Sequence, residues 1–386
     1  MNYVKPFTEE LSVTYNDITY HTEYYQTGTV TGITDESHPD WSSTATYNTG
    51  DYVIIPELKK IYRCADDSVT GVFPTSDSTV WVDYGMINSY KMFASDEYIG
   101  SQTQGTDMTI EMPFSFADTI AGIDLGFVDA IVEITDNNSS GNVTDENITA
   151  SHDSAVALTN QGLVNGTVVV TNSGNTTEYI LDTDYTIDYM NGTITALSSG
   201  SIADGESLLV DYEYGVVYRG SVLGKDIGCL TFAEYFYDEV AIRRRVIMNQ
   251  LPYLTNGTLK ITMSGDAKIG TFVVGLEQNL GVTMMGTSLK FEDNSKIKVD
   301  EITGFRTILR RGNLRVLDAR VELNVPEFDL ISQKIGEILG VNVLWMPTDG
   351  DKFSELVTLG YIEDFDMPLD NHVIMDSKAR VIGVNR

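Results

Sequence analysis

The chain has 386 residues, of which 42% are hydrophobic, and a net charge of −31. That apolar content excludes a disordered chain, and at roughly 100–200 residues per domain the length predicts two to three units. The acidity excludes a free nucleic-acid binder, which needs a basic face.

Taken in chain order, "ELSVTYNDITYHTEYYQTGTVTGIT" (10–34) alternates polar with aromatic or β-branched residues, the pattern of strands. Residues 1–35 are therefore expected to join a β body. Residues 36–85 form a small aromatic unit that holds two of the three tryptophans, Trp41 and Trp81. Residues 86–150 read as the first part of the body, ending in the polar, turn-rich "NNSSGNVTDENITASHDS" (137–154), expected to be a loop or linker. Residues 151–215 read as an inserted strand module, with Asn165-Gly166 and Asn191-Gly192 as hairpin turns, because both residue types tolerate positive φ. Residues 216–386 return to the body in a series of strands broken by one amphipathic helix, "PEFDLISQKIGEILG" (326–340), with Phe328, Ile331, Ile335 and Ile338 on one stripe and Gly340 as its stop. The predicted fold class is mainly β: a multi-domain β-sandwich body, a small aromatic-rich β module, an inserted immunoglobulin-like β module and one helix near 326–340.

Charge divides unevenly along this order. Residues 1–215 carry 5 Lys/Arg against 33 Asp/Glu, while residues 216–386 carry 20 against 23. The balanced half is expected to carry self-association, with "IRRR" (242–245) and "RTILRRGNLR" (306–315) supplying Arg243, Arg244, Arg245, Arg310 and Arg311 as subunit-interface residues.

The inventory of chemistry is thin. The four histidines, His21, His38, His152 and His372, share no ligand spacing with one another or with Cys64 and Cys229. There is no nucleophile elbow, phosphate loop or dinucleotide fingerprint. Among 56 acidic residues, carboxylate pairs arise by chance. "TDENITASHD" (144–153) offers oxygen ligands for calcium, but a solvated acidic loop explains it. Eight Asn-x-Ser/Thr sequons are explained by turn chemistry. No enzyme activity, cofactor or metal is expected. Neither is a targeting leader or a membrane span, since no run approaches about 18 apolar residues.

Two resemblances add to this reading. Trp41, Tyr47-Asn48-Thr49-Gly50-Asp51-Tyr52-Val53, Ile61-Tyr62, Pro74 and Trp81 resemble the outline of the chitin-binding-type carbohydrate-binding module. That resemblance implies a small β fold in which Trp41, Tyr62 and Trp81 are expected to serve core packing, with stacking on pyranose faces as the alternative use of the same rings. More broadly, this module together with "KMFASDEYIGSQTQG" (91–105), "IGTFVVGLEQNLGVT" (269–283), "VLWMP" (343–347), "LGYIEDF" (359–365) and "VIGV" (381–384) resembles tailed-phage virion proteins of short tails and necks. Residues 184–215 resemble the immunoglobulin-like modules common in tail proteins. These resemblances imply a virion structural protein, made in the host cytoplasm and assembled as a homo-oligomeric ring or sheath. Its partners would be copies of itself and other tail or neck proteins. The rival expectation is an adhesin that recognises host surface glycan through the small module; a secreted polysaccharide hydrolase lacks a catalytic pair.

Overall fold

The computed structural model describes residues 1–7, 9–26, 28–33, 37–93, 102–226, 241–242, 245–293, 295–299, 306–309, 313–347, 356–369 and 373–384. Arg243, Arg244, Arg310, Arg311, Cys229 and His372 lie outside them. The protein is mainly β, as the alternating sequence predicts, and is built around a 15-stranded sheet.

The spine of that sheet is the 14-residue strand Asp266–Asn279. It pairs with Thr103–Pro113 and Thr119–Gly126 toward one end, and with the N-terminal strand Asn2–Pro6 at the other. Asn2–Pro6 in turn pairs with Val343–Met346, which leads through Thr358–Asp366 and Ile374–Gly383 to Asn313–Asn324. Burial follows from this order. One core gathers Met108, Ile110, Phe114, Val132, Leu259 and Phe272. A second, at the far end, gathers Tyr3, Leu317, Val321, Trp345 and Val381. A third cluster, containing Val4, Val273, Leu344 and Leu359, lies between them. The expected single stretch 216–386 is thus divided between two lobes, and the N-terminal strand Asn2–Pro6 bridges them by pairing with both Asp266–Asn279 and Val343–Met346.

The helix runs Phe328–Ile338 behind a short 3-10 turn, Val325–Glu327. Ile331, Ile335 and Ile338 are buried in the second lobe, as their spacing predicts, and Gly340 follows at φ 74°. Its apolar stripe packs onto the sheet.

The insert hangs from the tip of a hairpin. Strands Asp129–Asp136 and Val216–Leu223 pair directly, with Thr135 opposite Val216, so the residues between leave and re-enter the body at adjacent points. Asp136 donates its N–H to the Gly215 carbonyl at 2.9 Å and closes the neck. Gly215 has φ 122°, and a Cβ there would stand 2.5 Å from Ser140 Cβ, so the neck requires glycine. The expected boundary at 151 is corrected. Gly141–Thr149, expected to be linker, is a strand of the insert paired with Ser207–Tyr214. Its polar composition hides the strand because only one side packs inward, with Ile148 buried, and because a register shift between Val143 and Glu146 breaks the alternation. Glu146, within the suggested calcium stretch, accepts from the Thr159 N–H at 2.7 Å and from the Tyr212 hydroxyl. Asn191-Gly192 does close a hairpin, between Tyr185–Asp188 and Thr193–Ala196. Asn165-Gly166 instead makes a turn that leaves the chain alongside the same partner, since Leu163 bridges Tyr214 and Val169 pairs with Asp211.

Candidate functional site

The small module is a three-stranded sheet, Tyr52–Ile55, Lys60–Cys64 and Trp81–Met86, with a two-stranded pair, Thr46–Tyr47 and Val69–Thr70. The Gly-Asp pair of its outline sits in a turn. Gly50 takes φ 99°, Asp51 Oδ2 accepts the Asn48 N–H at 2.8 Å, and Asp67 Oδ1 accepts the Thr49 N–H at 2.9 Å. That last bond holds the Asp67 carboxyl below the usual carboxylate range.

Strand alternation sorts the rings of this module into two sets. Tyr47, Tyr62, Phe73 and Trp81 point inward and form its core with Val53, Ile55, Leu58 and Cys64. Trp81 is 1% exposed, donates its indole N–H to the Val72 carbonyl at 3.0 Å, and meets Tyr47 edge-on at 5.2 Å. Tyr62 is 6% exposed. Neither ring offers a face to a sugar, and the alternative stacking role of Tyr62 and Trp81 is corrected to core packing: a unit this small needs its aromatics for buried area. Trp41 is half-buried, with Tyr15 and Phe73 both edge-on at 5.1 and 5.0 Å, and its indole N–H is buried without an acceptor.

Tyr15 shows that the module is larger than its sequence outline. The hairpin Glu9–Tyr15 and Ile18–Tyr25 packs Val13, Tyr15 and Tyr20 against this core, with Tyr15 stacked on Phe73 at 4.9 Å. Of the N-terminal segment, Asn2–Pro6 and Thr29–Ile33 pair with strands of the body, Gln26 hydrogen-bonds the backbone of Phe272 and Val274, and Leu11 packs against the first core.

The outward set is where ligand chemistry is available. Tyr52 pairs with Arg63, which pairs with Val82, so these three side chains cross the outer face of the three-stranded sheet. Tyr84 is 61% exposed and meets Tyr52 edge-on at 4.8 Å, His38 stacks on Tyr52 at 4.9 Å, and the Arg63 guanidinium lies 6.0 Å above the Tyr52 ring. Two tyrosine rings, an imidazole and a guanidinium thus share one open surface, suited to stacking on a flat or weakly polar ring. The sequence reading missed Tyr52 and Tyr84. The signal was present in the alternation Tyr52-out, Val53-in.

Of the expected interface arginines, Arg245 alone is described. It is half-buried and donates Nη1–H to the Val357 carbonyl at 3.3 Å. With Arg315 it lines a cavity of about 60 Å³ between the two lobes, so it has an internal role within the body.

Where the insert meets the body, a charge is buried. Glu133 is 2% exposed, lies 3.5 Å from the Arg219 guanidinium, and accepts the Asn165 N–H at 3.3 Å. Arg219 lies 4.2 Å above the Tyr189 ring of the insert. Burial pushes the Glu133 carboxyl above its usual range, against the opposing pull of Arg219, the Asn165 N–H and Lys260.

Among the described residues, no helix is long and apolar enough to cross a membrane, and no group of three or more His, Cys, Asp or Glu stands together as a metal site. A family model described as protein of unknown function UCP028589 matches residues 129–224, which span the two hairpin strands and the insert they carry. No curated protein and no solved structure matches the chain.

Proposed function

We propose that this chain is a structural component of a tailed-phage virion, assembling as a homo-oligomeric ring or sheath at the tail or neck. The observation that supports it best is the division of charge among its units. The insert, residues 137–215, has 11 Asp/Glu and no Lys or Arg, and it is mounted at a hairpin tip, while residues 216–386 are nearly balanced. Like-charged modules held away from the body repel one another and protect against edge-to-edge aggregation, and a near-neutral β body is free to pack against its copies. Other tail or neck proteins would flank the assembly, with no cofactor and no catalytic step. Electron microscopy and light scattering on the purified full chain test this reading: a closed ring or a stack of rings supports it, and a monomer at every concentration refutes it.

The outward face of the small module favours a second reading, a glycan-recognising adhesin. In that reading Tyr52, Tyr84, His38 and Arg63 contact the sugar, with Trp41 alone of the three rings first expected to do so. A trimeric spike that binds host surface polysaccharide, and loses it on Tyr84→Ala, would support the adhesin over the ring.

A further inference from the structure

The strands Lys296–Val299 and Arg306–Leu309 form a two-stranded ribbon that pairs with no other strand among the described residues. Ile297 stands opposite Ile308, and Val299 opposite Arg306, so these four positions share one face; Lys296 and Leu309 share the other. Both faces are open. Ile297, Ile308, Val299 and Leu309 are 62, 61, 55 and 41% exposed, and Lys296 and Arg306 are exposed as well. An isolated two-stranded ribbon is marginal in water, and a cluster of large exposed apolar side chains marks a contact surface. The charge of the ribbon is unusual for this chain. Its eight strand residues hold three Lys/Arg and no Asp or Glu, in a protein of net charge −31.

We infer that the ribbon docks on the insert of a second copy of this chain. The insert is the one unit with acidic residues and no cation, and its turn at 178–182 displays a matching surface. Ile180 is 64% exposed and Leu181 38%, and they lie between the exposed carboxylates of Glu178 and Asp182. An apolar pair rimmed by acids complements the apolar face carrying Arg306, and Lys296 on the opposite face adds positive charge to the same ribbon. Within one chain the ribbon and this turn are both open, so the contact forms between copies. The two surfaces differ, which makes the contact head-to-tail, the kind that closes into rings or extends into stacks.

This inference rests on the self-assembly reading, and the test separates the two. Full-length K296E/R306E and E178K/D182K variants are compared with wild type by sedimentation velocity and light scattering, with melting curves as a check on folding. None of the four residues belongs to a core cluster, so both variants are expected to melt as wild type does. Each variant alone should weaken association by at least tenfold, roughly a 1.4 kcal/mol change, and mixing the two should restore it. I297C and I180C chains should form a disulfide-linked dimer when mixed and none when each is kept alone. If both charge variants assemble like wild type, the ribbon contact is wrong while self-assembly stands. If the ribbon variant loses assembly and the insert variant neither loses nor restores it, the insert is not the partner and the inference fails. A wild-type chain that is monomeric throughout overturns the reading beneath it.

Discussion

Replacing Trp81 with Ala should unfold the small module and leave the body folded. The ring is 1% exposed, packs edge-on against Tyr47 and satisfies the Val72 carbonyl. Truncating a buried Trp costs about 3–5 kcal/mol, including the cavity left behind. The module with its hairpin, residues 9–86, contains roughly 80 residues, and at about 0.05–0.15 kcal/mol per residue its whole stability is roughly 4–12 kcal/mol. The loss is therefore a large share of what holds this unit together. The second lobe has its own core, and its reporter Trp345 is fully buried and bonded to the Gly360 carbonyl at 2.9 Å. The assay is urea unfolding followed by tryptophan emission, paired with amide exchange resolved along the chain. Trp81→Ala should show early emission change from Trp41 and fast exchange across residues 47–86, with the Trp345 transition unmoved. Tyr84→Ala, outward on the same strand, should cost less than about 0.5 kcal/mol. If Trp81→Ala costs under about 1 kcal/mol, or if both substitutions cost the same, the sorting of rings into inner and outer sets is wrong.

Excision of residues 36–85 should give a less stable unit than excision of 9–86, because only the longer piece retains Tyr15 stacked on Phe73 and edge-on to Trp41; thermal melts of the two fragments decide. Gly215→Ala should destabilise the neck of the insert by more than about 1 kcal/mol, through positive φ and the contact with Ser140, measured by chemical denaturation. Glu133→Gln should change the pH dependence of stability. The folded carboxyl titrates above its ordinary 4.5, so in the native state it holds its proton to higher pH than in the unfolded chain. Its contribution is then present below 4.5 and lost as pH rises through the folded value. The melting temperature of Glu133→Gln relative to wild type should rise across that window and stay level above it; a fall would refute the sign.

The fold class and the helix were legible in the sequence because both rest on periodicity: Ile331, Ile335 and Ile338 recur at helical spacing, and strands alternate. The small module was legible because its Trp, Tyr and Gly-Asp positions are fixed by a turn and a core that little else satisfies. What stayed hidden depends on pairing between distant segments. Nothing local in Asn2–Pro6 announces a partner at 343–346, and nothing in Tyr15 announces Phe73. The insert boundary was misplaced because Gly141–Thr149 is half-solvated, and its bulge breaks the period-two signal. The sequence leaves Tyr62 and Trp81 between core packing and sugar stacking because residue type alone does not say which side of a strand a ring occupies; the buried neighbours Val53 and Ile55 do. The arginine clusters drew attention by charge; Arg245 of the first is committed to the Val357 carbonyl, while Arg306 of the second stands exposed on the ribbon with Lys296.

The central claim is self-assembly of a structural chain, and electron microscopy of the purified full-length protein over a concentration series tests it most directly. The account predicts closed rings or stacked rings of one chain, with the acidic inserts projecting from a continuous β body. Discrete monomers at all concentrations, with no ring in any field, would contradict it.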